Sequence, residues 1–366
     1  MSTASERKAG RTLVVGFEGT ELPASLAEAL REGGLAGIIV FRRNLPDRES
    51  TAALVASVHA AAREGGALPP LVAIDEEGGR VTRLPSPFEP LPPMRRLGAL
   101  GDAELVRRAG WAVGAELRRL GINLDFAPIL DVDSNPLNPI IGDRAFSSDP
   151  GEAARLALAF ARGLADGGVL GCGKHFPGHG DTDLDSHLEL PTIRHDRARL
   201  DAVELLPFER AAREGLESLM SAHVVVTALD AERPATLSPR IVSGLLREEL
   251  GYRGVLFSDD LEMRAVADRY APAESGVLAI EAGCDALLVC RDVDAAFATR
   301  RALAVRYDAD PGFAARLDEA ASRVDALRAL AARRASEALE GAPELATVRA
   351  ELERAERARG VGGASR

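Results

Sequence analysis

Cysteine is scarce in this 366-residue chain, and long hydrophobic runs are missing altogether. The three cysteines, Cys172, Cys284 and Cys290, are odd in number and lie in or beside apolar stretches. That argues against a disulfide framework, and without a CxxC pair nothing suggests zinc or redox work. Reduced, buried thiols in a cytoplasmic protein are expected instead. The apolar run near the N-terminus covers only residues 13–17. It is too short for a secretory segment, and no other stretch is long enough to span a bilayer. A basic excess is also absent: the formal net charge is −11, and the 45 Lys and Arg are scattered. Nucleic acid and anionic membranes need a basic face, so neither is expected as a partner. No GxxxxGK is followed by Ser or Thr, and no GxGxxG opens a helix after a strand, so the common phosphate-binding loops are excluded.

What is present is a regular alternation. Hydrophobic residues make up 46% of the chain, ample for a large core. Short apolar runs at 13–17, 37–41, 71–74, 122–130, 169–173, 219–226, 254–257 and 286–290 read as strands. Amphipathic stretches between them, clearest at 103–120, 152–165, 200–214, 239–249 and 273–282, read as helices. Strands alternating with helices imply a parallel sheet, and eight units in about 290 residues fit a closed (β/α)8 TIM-type barrel. The expected organisation is a flexible N-terminus (1–11), a barrel (12–306) and a helical C-terminal extension with a frayed tail (307–366). In that extension Leu345, Val348 and Leu352 have helical spacing, which suits packing on the barrel or on a partner.

The chemically loaded residues share one phase. Asp75 follows the third run, Asp131 the fourth and Lys174-His175 the fifth; His223 lies within the sixth, and Ser258-Asp259 follows the seventh. Barrel enzymes place their active site at that strand rim. The densest segment is 174–187, KHFPGHGDTDLDSH, which holds three of the six histidines. Within it, Asp185 could hydrogen-bond His187 two residues on and make it a general acid/base. Gly178 and Gly180 are expected to loosen the backbone, so that His187 swings in with substrate. A metal is the competing reading, with His175, His179, Asp181 and His187 as ligands, but their spacing fits no known metal motif.

Three further segments stand at strand ends. In FSDDLEM (257–263), Asp259 suits a covalent nucleophile, while Ser258 or Asp260 also suits a helix N-cap. IDEEGGRVTR (74–83) offers Asp75, Arg80 and Arg83 as polar anchors around a glycine turn. NPLNP (135–139) and IIGDR (140–144) form a proline-set loop that delivers Arg144.

Together with NLDFAPILDVDSNPLNPIIGDRAF (123–146) and SAHVVVTALD (221–230), these segments resemble bacterial β-N-acetylhexosaminidases of glycoside hydrolase family 3, through roughly residues 12–300 and in family order. The resemblance implies a retaining exo-β-N-acetylglucosaminidase that needs no cofactor or metal. By that resemblance Asp259 is the nucleophile, and His187 with Asp185 is an acid/base dyad. Asp75, Arg83, Arg144, Lys174 and His175 then bind the sugar. It also implies a small carbohydrate substrate, terminal β-linked N-acetylglucosamine from cell-wall muropeptide fragments. Other branches of the family take a glutamate acid/base from an additional domain, which is not expected here. A β-N-acetylglucosaminide phosphorylase using the same residues, a metal-dependent barrel hydrolase and a catalytically silent sugar-binding barrel are the alternatives.

Overall fold

The computed structural model describes residues 3–182 and 190–359. Among these, eight parallel strands close a barrel: β1 (Leu13–Val15), β2 (Gly37–Ile39), β3 (Leu71–Ile74), β4 (Leu124–Asp125), β5 (Leu170–Phe176), β6 (Ser218–Ser221), β7 (Val255–Asp260) and β8 (Ala286–Val289). Each pairs with its sequence neighbours, and β8 returns to β1 with Leu13 opposite Leu287. The expected (β/α)8 architecture is the one observed.

Strand periodicity explains why these runs are apolar throughout. Successive side chains point to opposite faces, and in a barrel both faces are buried. Val14, Leu71, Ala73, Leu170, Cys172, Val255, Phe257, Ala286 and Leu288 belong to the interior cluster. Their neighbours Leu13, Val15, Val72, Ile74, Leu256, Leu287 and Val289 join the layer packed against the surrounding helices. Those helices start on polar caps. Asp149 accepts from the Glu152 N–H at 2.8 Å ahead of Pro150–Asp166, and Asp102 caps Ala103–Arg119.

Several boundaries differ from the sequence expectation. Regular pairing in β4 covers only two residues, because Pro128 has no N–H for the ladder. The following backbone still bonds β5, with Leu130 N donating to Lys174 O at 2.6 Å. The sixth run divides, its second part Val225–Val226 pairing with Thr192–Ile193 in a separate two-stranded sheet. The stretch expected as one helix over 200–214 is two, Arg197–Ala202 and Leu206–Glu214, the second opening on Pro207.

The N-terminal end of the barrel is plugged. Helix Val293–Ala309 runs past residue 306 and is followed by helix Pro311–Ser336. Val324, Leu327 and Ala331 of the latter join the barrel interior. Arg328 donates to the carbonyls of Leu68 (2.5 Å) and Pro69 (3.1 Å), just before β3. Just before β8, fully buried Asp285 gathers Arg247 (2.5 Å), Arg316 (2.7 Å) and Arg323 (3.1 Å). Helix Leu345–Arg359 lies on the protein's own barrel: Leu345, Val348 and Leu352 are buried, and Arg96 and Arg108 pair with Glu356 and Glu351. With this end closed, the C-terminal ends of the strands carry the open cavity.

Candidate active site

That rim holds a cavity of about 580 Å³, within the usual range of small-molecule sites. Its lining includes Asp75, Arg83, Arg144, Lys174, His175 and Asp259, so six of the eight sequence-derived site residues converge. Asp185 and His187 lie outside the described residues.

The floor is a hub of charge. β5 extends to Phe176, so Lys174 and His175 are strand residues rather than the start of a loop. Lys174 Nζ donates to Asp75 Oδ1 and Glu77 Oε1, each at 2.6 Å. Arg144 meets the two oxygens of Glu77 at 2.8 and 2.9 Å. Burial alone would raise the Glu77 carboxyl, but Arg144 and Lys174 outweigh it and hold it well below the usual range. Burial would likewise lower Lys174, and Asp75 and Glu77 reverse that. The hub therefore stays ionised and presents fixed donors and an acceptor, which suits a polyhydroxylated ligand.

Glu77 was not among the sequence-derived site residues, although it joins two of them. A usable signal was its place two residues after Asp75, which puts both on one side of an extended segment. Its neighbour Glu76 turns away, accepting from the N–H groups of Arg83 (2.8 Å) and Leu84 (3.0 Å) to fasten the glycine turn. Arg80 does not reach the cavity floor. It clips the 135–144 loop, donating to the carbonyls of Ile140 and Ile141 and lying 3.6 Å from Asp143. Arg83 does line the cavity, and its buried Nε has no hydrogen-bond partner among the described residues.

Asp131, fully buried behind the floor, organises the histidines. It accepts from His175 Nδ1 (2.7 Å) and from the backbone N–H of His179 (2.7 Å). A carboxylate held below its usual range can only accept, so Nδ1 of His175 bears a proton and Nε2 is turned away from Asp131. Burial, with His175 beside it, pushes His179 down to about 4, so this ring is neutral. Of the other two proposed metal ligands, Asp181 pairs with His195 instead, and His187 lies outside the described residues. Among the described residues no group of three or more His, Cys, Asp or Glu is arranged to hold a metal.

The loop glycines serve close packing in the described part of the loop. A Cβ at Gly180 would sit 1.6 Å from the Val132 carbonyl oxygen, and Gly178 has φ +125°. Asn138 donates to His179 O at 2.8 Å and fastens the same stretch. Both glycines are thus required by local packing, and the expected swing of His187 falls outside the described residues.

At the other wall β7 runs through Asp260, which removes the N-cap reading of Ser258 and Asp260. Ser258 Oγ accepts from Leu288 N at 3.0 Å, and the next helix, Arg264–Ala267, has no side-chain cap. Asp259 faces the cavity, with Oδ1 accepting the Asp260 N–H at 2.8 Å. Burial, aided by the charges of Glu262 and Asp259, pushes Asp260 up to about 7. The arrangement is one carboxylate at a cavity wall opposite a floor of fixed polar groups.

The chain matches the glycosyl hydrolase family 3 N terminal domain over residues 6–342. The Beta-hexosaminidase of Methylococcus capsulatus (strain ATCC 33009 / NCIMB 11132 / Bath) is 42% identical over 302 residues, 82% of this chain and 88% of that protein. A glycoside hydrolase family 3 β-N-acetylglucosaminidase from Paenibacillus sp. str. FPU-7 is similar in structure, with TM-score 0.90 and 40% identity, covering 97% of this chain and 68% of that one. NagZ from Neisseria gonorrhoeae, in complex with N-trifluoroacetyl-D-glucosamine, gives TM-score 0.72 and 34% identity, covering 89% and 98%.

Proposed function

This chain belongs to glycosyl hydrolase family 3 and is a glycoside hydrolase, and from that premise we propose that it is a retaining exo-β-N-acetylglucosaminidase. The observation that carries the reading is Asp259 on the wall of the cavity whose floor is the Lys174–Glu77–Arg144 hub. Asp259 attacks the anomeric carbon and forms a glycosyl ester. His187, oriented by Asp185, protonates the departing oxygen and then takes a proton from the water that cleaves the ester. Asp75, Lys174, Arg144, Arg83 and His175 hold the sugar. The N-acylated glucosamine bound by the Neisseria gonorrhoeae relative supports a 2-acetamido sugar here. Cell-wall muropeptide fragments in the cytoplasm are the proposed source, and the three free, buried cysteines suit that compartment.

The test is a panel of aryl β-glycosides that differ only at the 2-position. The N-acetylglucosaminide should react far faster than the glucoside, because a substrate without the acetamido group leaves buried polar groups unpaired. NMR should show the β-anomer first, and phosphate buffer should yield free sugar rather than sugar 1-phosphate. Comparable rates on both glycosides, or an inverted first product, would overturn the assignment.

A further inference from the structure

Ser221, His223 and Thr236 are fully buried polar residues behind the cavity wall, and the mechanism above uses none of them. Buried polar groups are normally hydrogen-bonded, and here the partners form a connected chain. The Asp260 carbonyl can only accept, so His223 Nε2, 2.9 Å away, carries a proton. On the other side Nδ1 lies 2.9 Å from Thr236 Oγ1, which lies 2.8 Å from Ser221 Oγ. Either hydroxyl of the Thr236–Ser221 pair can donate to the other, which leaves the Thr236 hydroxyl able to point at Nδ1. The other acceptor within reach of Thr236, Ala222 O, is farther at 3.1 Å. Thr236 sits on the short turn Ala235–Leu237, itself tied back by Ala235 N donating to Val224 O at 2.8 Å.

The far end of this chain is residue 260, which is gripped on three sides. His223 holds its carbonyl; its Oδ1 accepts from Glu262 N (3.1 Å) and Cys290 N (3.2 Å); its own N–H lies on Asp259 Oδ1 at 2.8 Å. We infer that His223 is a positioning residue for the nucleophile: by clamping the Asp260 carbonyl it keeps the Asp260 N–H on the Asp259 carboxylate, and so keeps that carboxylate aimed into the cavity. The inference rests on Asp259 being the nucleophile. Its weight comes from the steepness of attack geometry, since a displacement of about 1 Å can cost roughly 100-fold in rate.

The test compares His223→Ala, His223→Gln and Thr236→Val with Asp259→Asn, using 4-nitrophenyl β-N-acetylglucosaminide for rates and N-acetylglucosamine for binding. His223→Ala should lower kcat by about 30- to 100-fold while the sugar's Kd stays within about 2-fold, because sugar contacts are made by other residues. His223→Gln places an amide N–H near the Nε2 position and should recover to within about 5-fold of the parent. Thr236→Val, which removes the hydroxyl facing Nδ1 at nearly constant shape, should fall between them. The inference is overturned if kcat of His223→Ala stays within about 2-fold of the parent. It is equally overturned if sugar affinity falls in step with kcat and Gln is no better than Ala, since that marks a merely structural residue. Should the Ala variant not fold, the Gln and Val variants carry the same comparison, and parental kcat in Thr236→Val overturns the inference. Full activity of Asp259→Asn sinks the proposed mechanism itself, whereas an inactive Asp259→Asn beside an unaffected His223→Ala sinks only the role of His223.

Discussion

Replacing Glu77 by Gln would put the charge hub under direct strain. Glu77 is 2% exposed, so solvent screens little of its interaction with Lys174 at 2.6 Å and Arg144 at 2.8 Å. Gln keeps the size but removes the charge and turns an amide N–H toward one of two buried cations. Removing one partner of a buried pair costs about 3–5 kcal/mol. Lys174 retains Asp75 (2.6 Å) and Arg144 retains Ile140 O (3.1 Å), which places the expected loss at the lower end of that range. Guanidinium unfolding followed through the single tryptophan, Trp111, should show a lower midpoint at unchanged slope. The pH dependence carries a sign. The folded carboxyl is held below its unfolded value, so its stabilisation is fully present above about pH 5 and is lost as pH falls through the folded value. The gap between parent and variant should be constant from about pH 6 to 8 and shrink below about pH 4. Activity should fall by at least about 100-fold in kcat/KM as Lys174 and Arg144 lose their orientation. A loss under about 1 kcal/mol at pH 7, or a gap that widens on acidification, would refute the reasoning.

Three other outcomes are expected. Asp285→Ala, at the plugged end, strands Arg247, Arg316 and Arg323 and should cost about 3–5 kcal/mol in chemical unfolding. The folded fraction should keep its kcat/KM, and a larger loss of activity than of stability would contradict the separation of the two barrel ends. Asp260 is pushed up to about 7, so the native state holds a proton that the unfolded chain releases near pH 4, and parent stability should fall from about pH 4 to 7. Asp260→Asn removes that slope and should gain on the parent across the same range by roughly 1.4 kcal/mol per pH unit; equal gaps at its two ends would contradict the burial argument. His187→Ala should slow glycosylation of disaccharides far more than of nitrophenyl glycosides, since a nitrophenolate scarcely needs the proton. Equal losses on both would move the acid role to Asp181 or Asp183.

Strand and helix alternation was legible because each barrel strand buries both faces and each helix only one, so periodicity alone separates them. The same phase exposed the rim that carries the cavity: Asp75, Lys174, His175 and Asp259 follow their apolar runs at corresponding positions. Run ends were less legible. Polar Lys174, His175 and Asp259 read as loop, yet they lie within β5 and β7, which continue past register shifts at these positions while the three side chains line the cavity. Pro128 and Pro207 interrupted elements that their apolar neighbours would have continued.

The amino-acid order by itself determined the barrel, the rim that carries chemistry and the residue types assembled there. Tertiary structure alone decided which of these residues touch. Glu77 meets Arg144 across 67 positions, Asp131 meets His175 across 44, and His223 meets the Asp260 carbonyl across 37. No local pattern encodes such pairs, because side-chain periodicity reports which face is buried and not which neighbour occupies it. Closure of the barrel brings strand ends from β3 to β7 around one cavity, and burial there is what turns ordinary carboxylates and imidazoles into fixed donors, fixed acceptors and shifted acids.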